Sequence, residues 1–135
     1  MKEDSKGGKN RMAGNERKIL VCDDSLLIRS QLADFIKGLG KDITVIEAED
    51  GEIAVRLFSE HHPDLVFLDV VMPNGGGISC LKQIKEIDSD AKVVIVSSSG
   101  TKEVLKEALE AGATDFIQKP WSQTLISQVI SKAIS

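Results

Sequence analysis

Short apolar runs alternate with amphipathic segments along the chain from residue 19 to its end. Five of these runs are almost continuously apolar and rich in Val and Ile, which is typical of parallel strands covered on both faces. We therefore predict five strands. They are ILVC at 19–22, ITVIE at 43–47, DLVFLD at 64–69, KVVIVS at 92–97 and TDFIQ at 114–118.

After each strand, apolar residues recur at intervals of three and four, which predicts five helices that each bury one face in the core. Their apolar stripes are Ile28, Leu32, Phe35, Ile36 and Leu39; Ala54, Leu57 and Phe58; Ile78, Leu81 and Ile84; Val104, Leu105, Ala108 and Leu109; and Leu125, Ile126, Val129, Ile130 and Ala133. This alternation predicts an α/β fold, (βα)5, with a doubly wound five-stranded parallel sheet in the common order 2-1-3-4-5.

The chain has 135 residues and 41% apolar content, as expected of one ordinary domain. Residues 1–17 are polar and punctuated by glycine, so we predict a disordered leader there and a single domain over residues 18–135. The leader is basic, whereas the rest of the chain is strongly acidic and unsuited to binding nucleic acid by charge. A solvated tail is favoured over a nucleic-acid or membrane role for the leader.

No stretch approaches the roughly 20 consecutive apolar residues that a membrane-spanning helix needs. The start of the chain also lacks the hydrophobic run of a signal peptide, so we expect a cytoplasmic protein with no membrane partner. Cys22 and Cys80 have no partners at metal-binding spacing, and we expect both to be buried free thiols, not a disulfide.

Polar residues stand at the ends of four predicted strands. The first strand ends in Asp23 and Asp24, the third in Asp69 and the fourth in Ser97, and the fifth runs into Lys119. Ligands of open parallel sheets bind beyond the carboxyl ends of the strands, and the common strand order places strands one and three side by side. We therefore expect the three carboxylates to meet in one pocket.

Three adjacent carboxylates destabilise a fold, because two of them about 4 Å apart repel by roughly 1 kcal/mol in water and about 4 kcal/mol at a dielectric near 20. Lys119 can offset one charge. The remainder favours a hard divalent cation, and an all-oxygen site with few protein ligands suits Mg²⁺. The alternative is that these acids are separate solvated residues or helix caps, since either Asp24 or Ser25 could cap the first helix.

Three motifs resemble the receiver domain of two-component response regulators, and the likeness covers residues 18 to about 134. VCDDS resembles the acidic pair of that family after its first strand, LDVVMP resembles its phosphoacceptor segment, and GATDFIQKP resembles its lysine-proline element. The motifs occur in the right order and spacing, with IVSS before Gly100. The resemblance implies a flavodoxin-like fold and a phosphoacceptor signalling protein that assists its own phosphorylation and dephosphorylation, not an ordinary enzyme.

The resemblance also implies roles for the acidic residues. Asp69 would be the phosphoacceptor and would ligate Mg²⁺ together with Asp24, while Val71 would add its backbone carbonyl. Asp23 would hold a metal-bound water.

Further roles carried over from the family concern the last two strands. Ser97 would hydrogen-bond the phosphoryl group and Lys119 would pair with it, and Phe116 stands at the aromatic switch position. Phe116 lacks the hydroxyl of the tyrosine often found there, so its switching would rely on burial. Val71 and Ser99 offer no acid or amide to orient water, which indicates slow self-dephosphorylation.

The implied partners are a sensor histidine kinase or phosphotransfer protein and a downstream target protein, which would bind the face made by the fourth helix, fifth strand and fifth helix. We expect a monomer that resembles chemotaxis-type receivers. A non-phosphorylated scaffold of the same shape is the main alternative; a small flavodoxin-like cofactor binder or phosphatase is another, although the chain has no glycine-rich phosphate loop. His61 and His62 are expected to be solvated, and Trp121 to anchor the last helix.

Overall fold

The computed structural model describes residues 16–72, 76–98 and 101–134, in which strands and helices alternate. The elements are β1 (Arg17–Cys22), α1 (Leu26–Lys37), β2 (Ile43–Ala48), α2 (Gly51–His61), β3 (Leu65–Leu68), α3 (Gly76–Ile87), β4 (Val93–Ser97), α4 (Lys102–Glu110), β5 (Asp115–Gln118) and α5 (Gln123–Ile134). All five predicted strands and all five predicted helices are therefore confirmed. Residues 1–15 of the predicted leader lie outside the described residues, and β1 begins at Arg17, the last residue assigned to it.

The five strands form one parallel sheet in the order β2-β1-β3-β4-β5, as predicted. The register places Cys22 at the end of β1 opposite Leu68 at the end of β3. The residues that follow these two strands therefore leave the sheet side by side. Parallel strands joined by helices on both faces make this edge the place where a ligand site is expected.

Both faces of the sheet are covered. Alternate residues of each strand point to opposite sides, so Leu20 and Leu68 belong to one apolar cluster and Ile19 and Phe67 to the other. Cys22 and Cys80 are buried free thiols in the first cluster, which confirms the prediction for them. Within the described part of the chain, no helix has both the length and the apolar content needed to cross a membrane.

Four leucines assigned to the core are exposed instead. Leu39 lies beyond α1, because the helix ends at Gly38, whose N–H bonds back to Asp34 and Phe35. Leu39 therefore leaves the helical stripe and is 41% exposed. The other three leucines lie on the rims of helices whose buried stripes are narrower than the sequence pattern. They are Leu105, Leu109 and Leu125, at 37%, 55% and 41% exposure.

The helix that follows the first acidic pair is capped by Ser25. Its hydroxyl accepts a hydrogen bond from the N–H of Ile28, 3.3 Å away, as an N-cap residue does. Asp24 is therefore not the cap of α1, and its exposed carboxylate is left beside the sheet edge.

Candidate functional site

Three carboxylates meet at the carboxyl edge of the sheet. Asp23 and Asp24 follow β1, Asp69 follows β3, and one oxygen from each lies within 4.8 Å of the others. Asp23 and Asp69 are only 4% and 6% exposed, whereas Asp24 is exposed. The structure thus brings together the three acids that the sequence analysis selected, because β1 and β3 are neighbours.

Lys119 bridges two of these acids. Its Nζ atom lies 2.6 Å from Oδ2 of Asp23 and 3.2 Å from Oδ2 of Asp69. The backbone N–H of Lys119 donates to the carbonyl of Ser97 at 2.9 Å, which ties the residue to the end of β4. The following peptide bond, Lys119-Pro120, is cis.

Burial dominates the ionisation of Asp69. Desolvation raises the pKa of its carboxyl group above 3.8, and the nearby Asp23 adds to the rise, while Lys119 and the N–H of Val71 oppose it. For Lys119, burial lowers the pKa, but the hydrogen bond and charge of Asp23 together with the charge of Asp69 outweigh burial and raise it overall. The ammonium group therefore stays charged at neutral pH beside a carboxylate whose charge is costly.

The loop after β3 holds Asp69 from its other side. The N–H of Val71 donates to Oδ1 of Asp69 at 3.2 Å, so the two carboxylate oxygens have different partners. Gly77 packs directly on this loop, since an added Cβ there would lie 2.1 Å from the Asp69 carbonyl oxygen. Only glycine allows so close an approach.

Ser97 and Phe116 lie on the neighbouring strands β4 and β5. Ser97 is fully buried at the end of β4 and pairs in register with Gln118. Phe116 is half-buried on β5 and packs against the cluster that contains Cys80 and Ala108. The two residues are thus connected through adjacent strands, one beside Lys119 and the other beneath α4.

Arg29 is a site neighbour that the sequence analysis missed. Its Nη1 atom donates to the backbone carbonyl of Asp23 at 2.8 Å, and its Nε atom lies 3.1 Å from Oε1 of Glu47 on β2. No sequence signal distinguished Arg29 from the other charged residues of a one-sided helix. Only the pairing of β1 with β2 brings Glu47 within its reach.

The oxygen donors of the pocket fit Mg²⁺. Magnesium prefers hard oxygen ligands at about 2.1 Å, so its protein ligands lie no more than about 4.2 Å apart. Carboxylate oxygens within 4.8 Å of one another can approach this spacing by small movements or can act through metal-bound water. Lys119 neutralises one of the three carboxylates, which leaves net negative charge for a divalent cation.

The two histidines and Trp121 are not among the residues that form the acidic cluster. His61 and His62 are exposed, and among the described residues the acidic cluster is the metal-binding group found. Trp121 is half-buried between α1 and α5, with its ring 5.7 Å from that of Phe35. These placements agree with solvated histidines and with a packing role for the tryptophan.

The fold and the acidic site define a receiver-type signalling protein of two-component systems. The family profile described as the response regulator receiver domain matches residues 19–131. The chain therefore belongs to this family.

Its relatives include chemotaxis proteins. It is 38% identical over 118 residues to chemotaxis protein CheY of Bacillus subtilis, an alignment that covers 87% of this chain and 98% of the relative. A structure of a CheX-CheY-BeF3-Mg complex from Borrelia burgdorferi is similar with a TM-score of 0.82 at 34% identity, covering 93% of this chain and 96% of that one. The response regulator domain of Thermotoga maritima CheB has a TM-score of 0.78, also at 34% identity, covering 88% of this chain and 96% of that one.

Proposed function

We propose that this response regulator accepts a phosphoryl group on Asp69, with Mg²⁺ held by Asp23, Asp24, Asp69 and the backbone carbonyl of Val71. The observation that carries the proposal is the single pocket in which Lys119 bridges Asp23 and Asp69 while Asp24 lies beside them. The similar Borrelia burgdorferi structure is a complex that contains CheY, BeF3 and Mg²⁺. The proposal assigns Mg²⁺ binding and phosphoryl acceptance to the residues of this chain named above.

The donor is a phosphohistidine on a sensor histidine kinase or phosphotransfer protein. An oxygen of Asp69 attacks phosphorus, the nitrogen–phosphorus bond breaks, and the imidazole leaves. Mg²⁺ held by Asp23, Asp24, Asp69 and the Val71 carbonyl would supply positive charge to offset the negative charge of the phosphoryl oxygens. Lys119 adds a second positive charge and the Ser97 hydroxyl donates a hydrogen bond, so the residues of this chain stabilise the transferring group electrostatically.

The phosphoryl group is lost by hydrolysis of the acyl phosphate. Water attacks phosphorus, the bond between phosphorus and the Asp69 oxygen breaks, and inorganic phosphate leaves. Neither the exposed Val71 side chain nor Ser99, which lies outside the described residues, has an acid or amide that could orient this water, so the phosphorylated state is long-lived. The chain works as a signalling phosphoacceptor that promotes its own phosphorylation and dephosphorylation, not as an ordinary enzyme.

The output surface consists of α4, β5 and α5. Phosphorylation draws the Ser97 hydroxyl toward Asp69, and Phe116 then turns inward beneath α4. The exposed Leu105 and Leu109 on α4 give this face apolar contacts for a downstream target protein. No nucleic-acid partner is required by this scheme.

Several coarser features belong to the same proposal. The receiver domain, matched over residues 19–131, works as a monomer. The free thiols of Cys22 and Cys80 fit the reducing cytoplasm, where the kinase and its receiver would meet.

A receiver-shaped scaffold that is never phosphorylated would not need this pocket. Burial raises the pKa of Asp69, so its ionised carboxylate is unfavourable in the folded protein at neutral pH and is not explained by stability alone. The intact set of Asp23, Asp24, Asp69, Ser97 and Lys119 therefore favours the phosphoacceptor over the scaffold. Family membership likewise argues against a cofactor-binding or phosphatase function.

The test is incubation with Mg²⁺ and acetyl phosphate, followed by intact-protein mass spectrometry. We expect one acid-stable, base-labile phosphoryl group on the parent and none on Asp69→Asn, because an amide is a far poorer nucleophile. The exposed Asp90 supplies the matched control, and Asp90→Asn should be labelled normally. Undiminished labelling of Asp69→Asn would place the acceptor elsewhere and refute the proposal.

A further inference from the structure

Arg29 lies in α1 behind the acidic pocket and makes contacts in two directions. Its side chain is only 12% exposed. Because arginine is rarely buried without partners, its contacts explain why it can lie here. One donor, Nη1, points to the backbone carbonyl of Asp23 at 2.8 Å, and Nε points to Glu47 at 3.1 Å. The guanidinium thus links the loop after β1 to the neighbouring strand β2.

The bond to the Asp23 carbonyl completes the immobilisation of that residue. The Asp23 N–H donates to Ala48 at 3.1 Å, and its carboxylate accepts from the N–H of Ser25 at 2.9 Å and from Lys119 at 2.6 Å. The carbonyl that Arg29 holds belongs to the peptide joining Asp23 to Asp24. Its orientation therefore sets the direction in which the Asp24 side chain leaves the backbone.

Glu47 holds Arg29 in place. It lies opposite Val21 in the register of β1 and β2, so its position is set by the sheet. Its carboxylate balances the charge of a mostly buried guanidinium, which would otherwise be costly to desolvate. Arginine suits this position because its rigid planar group presents donors in two directions at once, whereas a lysine ammonium acts as a point charge on a flexible stem.

We propose that Arg29, held by Glu47, is a positioning residue for the Mg²⁺ pocket: it fixes the Asp23-Asp24 peptide so that both carboxylates face the ion. This inference rests on the proposed Mg²⁺ site. It assigns Arg29 no contact with the metal or the phosphoryl group. Partners that orient metal ligands from behind commonly change metal affinity by 10- to 100-fold when removed.

The direction of the effect separates positioning from charge. Arg29 is a cation near three carboxylates, so its charge alone repels Mg²⁺, and its removal would tighten binding. Loss of positioning would weaken binding instead. Arg29→Lys separates the two roles further. It keeps the positive charge but cannot donate to the Asp23 carbonyl and to Glu47 at the same time.

The experiment is calorimetric titration of each metal-free protein with MgCl2 in the absence of a phosphodonor. We expect the Mg²⁺ dissociation constant of Arg29→Ala to be about ten-fold higher than that of the parent. For Arg29→Lys we expect a smaller but clear increase. The matched control is Arg56→Ala, since Arg56 is exposed and pairs with Glu60 at 3.9 Å on α2. Its Mg²⁺ affinity should equal that of the parent.

Two further measurements keep the test decisive. Urea unfolding of each variant identifies conditions in which it is fully folded, and only those are used for titration. If Arg29→Ala does not fold, Arg29→Lys carries the comparison. With Mg²⁺ saturating, phosphorylation of Arg29→Lys by acetyl phosphate should return close to the parent rate, which a loss of general stability would not produce.

Tighter Mg²⁺ binding by Arg29→Ala, or an unchanged affinity in Arg29→Lys, would overturn the positioning role. Asp24→Asn distinguishes this failure from failure of the site itself. If Asp24→Asn weakens Mg²⁺ binding while the Arg29 variants do not, the pocket stands and Arg29 has no part in it. If Asp24→Asn also binds normally, the proposed Mg²⁺ site is wrong and the inference falls with it.

Discussion

At the residue scale, the acidic pocket is arranged for function and lowers the stability of the metal-free protein. Asp69 is almost completely buried, and burial raises its pKa despite the contact with Lys119. Its carboxylate is therefore less favourable in the folded protein than in the unfolded chain at neutral pH. A residue placed for stability alone would have avoided this arrangement, whereas a residue that must bind a cation and accept a phosphoryl group requires it.

Asp69→Asn should therefore stabilise the metal-free protein at pH 7, by roughly 1 kcal/mol in the free energy of unfolding. The stability contribution of Asp69 is fully present below its unfolded pKa near 3.8 and is lost as pH rises through the raised folded value. The advantage of Asp69→Asn should consequently shrink as the solution is acidified. Urea unfolding from pH 7 down to pH 4 measures this.

Asp90→Asn is again the matched control, because Asp90 is exposed and precedes β4, at the opposite edge of the sheet from the pocket. Its stability should follow that of the parent at every pH. A less stable Asp69→Asn at pH 7 would mean that the ion pair with Lys119 outweighs the burial of Asp69.

At the element scale, the contact of α3 with the loop after β3 determines where Asp69 lies. Gly77 is the second residue of α3, and its N–H donates to the carbonyl of Val70 at 2.8 Å. The helix starts so close to this loop that no side chain fits between them.

Gly77→Ala should therefore displace the Asp69 loop, because the new Cβ would meet backbone atoms at 2.1 and 2.4 Å. We expect a loss of roughly 1–3 kcal/mol in unfolding free energy together with weaker Mg²⁺ binding. Gly38→Ala is the control, since its Cβ would meet its nearest atom at 3.4 Å. Equal stability of the two variants would show that the approach of α3 is not tight.

The helix α4 is attached to the core by a narrow stripe. Ala108 is its fully buried residue, while Leu109 beside it is 55% exposed. The leucine spacing was consistent with a core helix, but a rim leucine contributes little when its side chain remains half in water.

Leu109→Ala should thus cost less than about 1 kcal/mol of unfolding free energy, whereas Leu81→Ala in α3 should cost about 2–5 kcal/mol. Leu81 is fully buried, so the same substitution creates a cavity there. Denaturant unfolding with a common m-value gives both numbers. A large loss for Leu109→Ala would show that α4 packs more tightly than its exposure indicates.

At the scale of the whole molecule, the proposed switch connects the pocket to the α4, β5 and α5 face. Ser97 ends β4 beside Lys119, and Phe116 lies on the neighbouring strand β5, in register with Ile95. Moving a two-state switch from mostly off to mostly on takes about 5.5 kcal/mol, and a hydrogen bond to a charged group supplies about 1.5–3 kcal/mol. Ser97 therefore contributes a part of the switching energy, not all of it.

Ser97→Ala should still accept phosphate, though more slowly, and its response to beryllium fluoride with Mg²⁺ should be reduced. Amide NMR shifts over residues 101–121 measure the response, and they should be large in the parent. The exposed Ser59 provides a control, with full shifts expected in Ser59→Ala. Shifts in Ser97→Ala as large as those of the parent would disconnect Ser97 from the output face.

Much of the architecture could be predicted from local patterns. The five apolar runs identify the strands because a strand covered on both faces needs apolar residues at every position, as in the fully buried Leu65–Leu68. The alternation with helices and the handedness of their connections then restrict the strand order. Since that order makes β1 and β3 neighbours, the meeting of Asp23, Asp24 and Asp69 followed from the sequence as well.

Other features depend on contacts between residues that are distant in the chain. The spacing of apolar residues along the sequence does not predict such contacts. Three leucines match the spacing of a buried helix face but are exposed in the structure. Leu39 is exposed because α1 ends before it, whereas Leu105 and Leu109 are exposed because of the way α4 packs on the sheet. Arg29 reaches the Asp23 carbonyl and Glu47 only because β2 lies beside β1. The sequence alone thus determined the fold and the acidic residues, since hydrophobic spacing and topology depend on patterns along the chain. The tertiary structure decided which leucines are buried and what holds the acids in place, because packing and hydrogen bonding depend on neighbours in space.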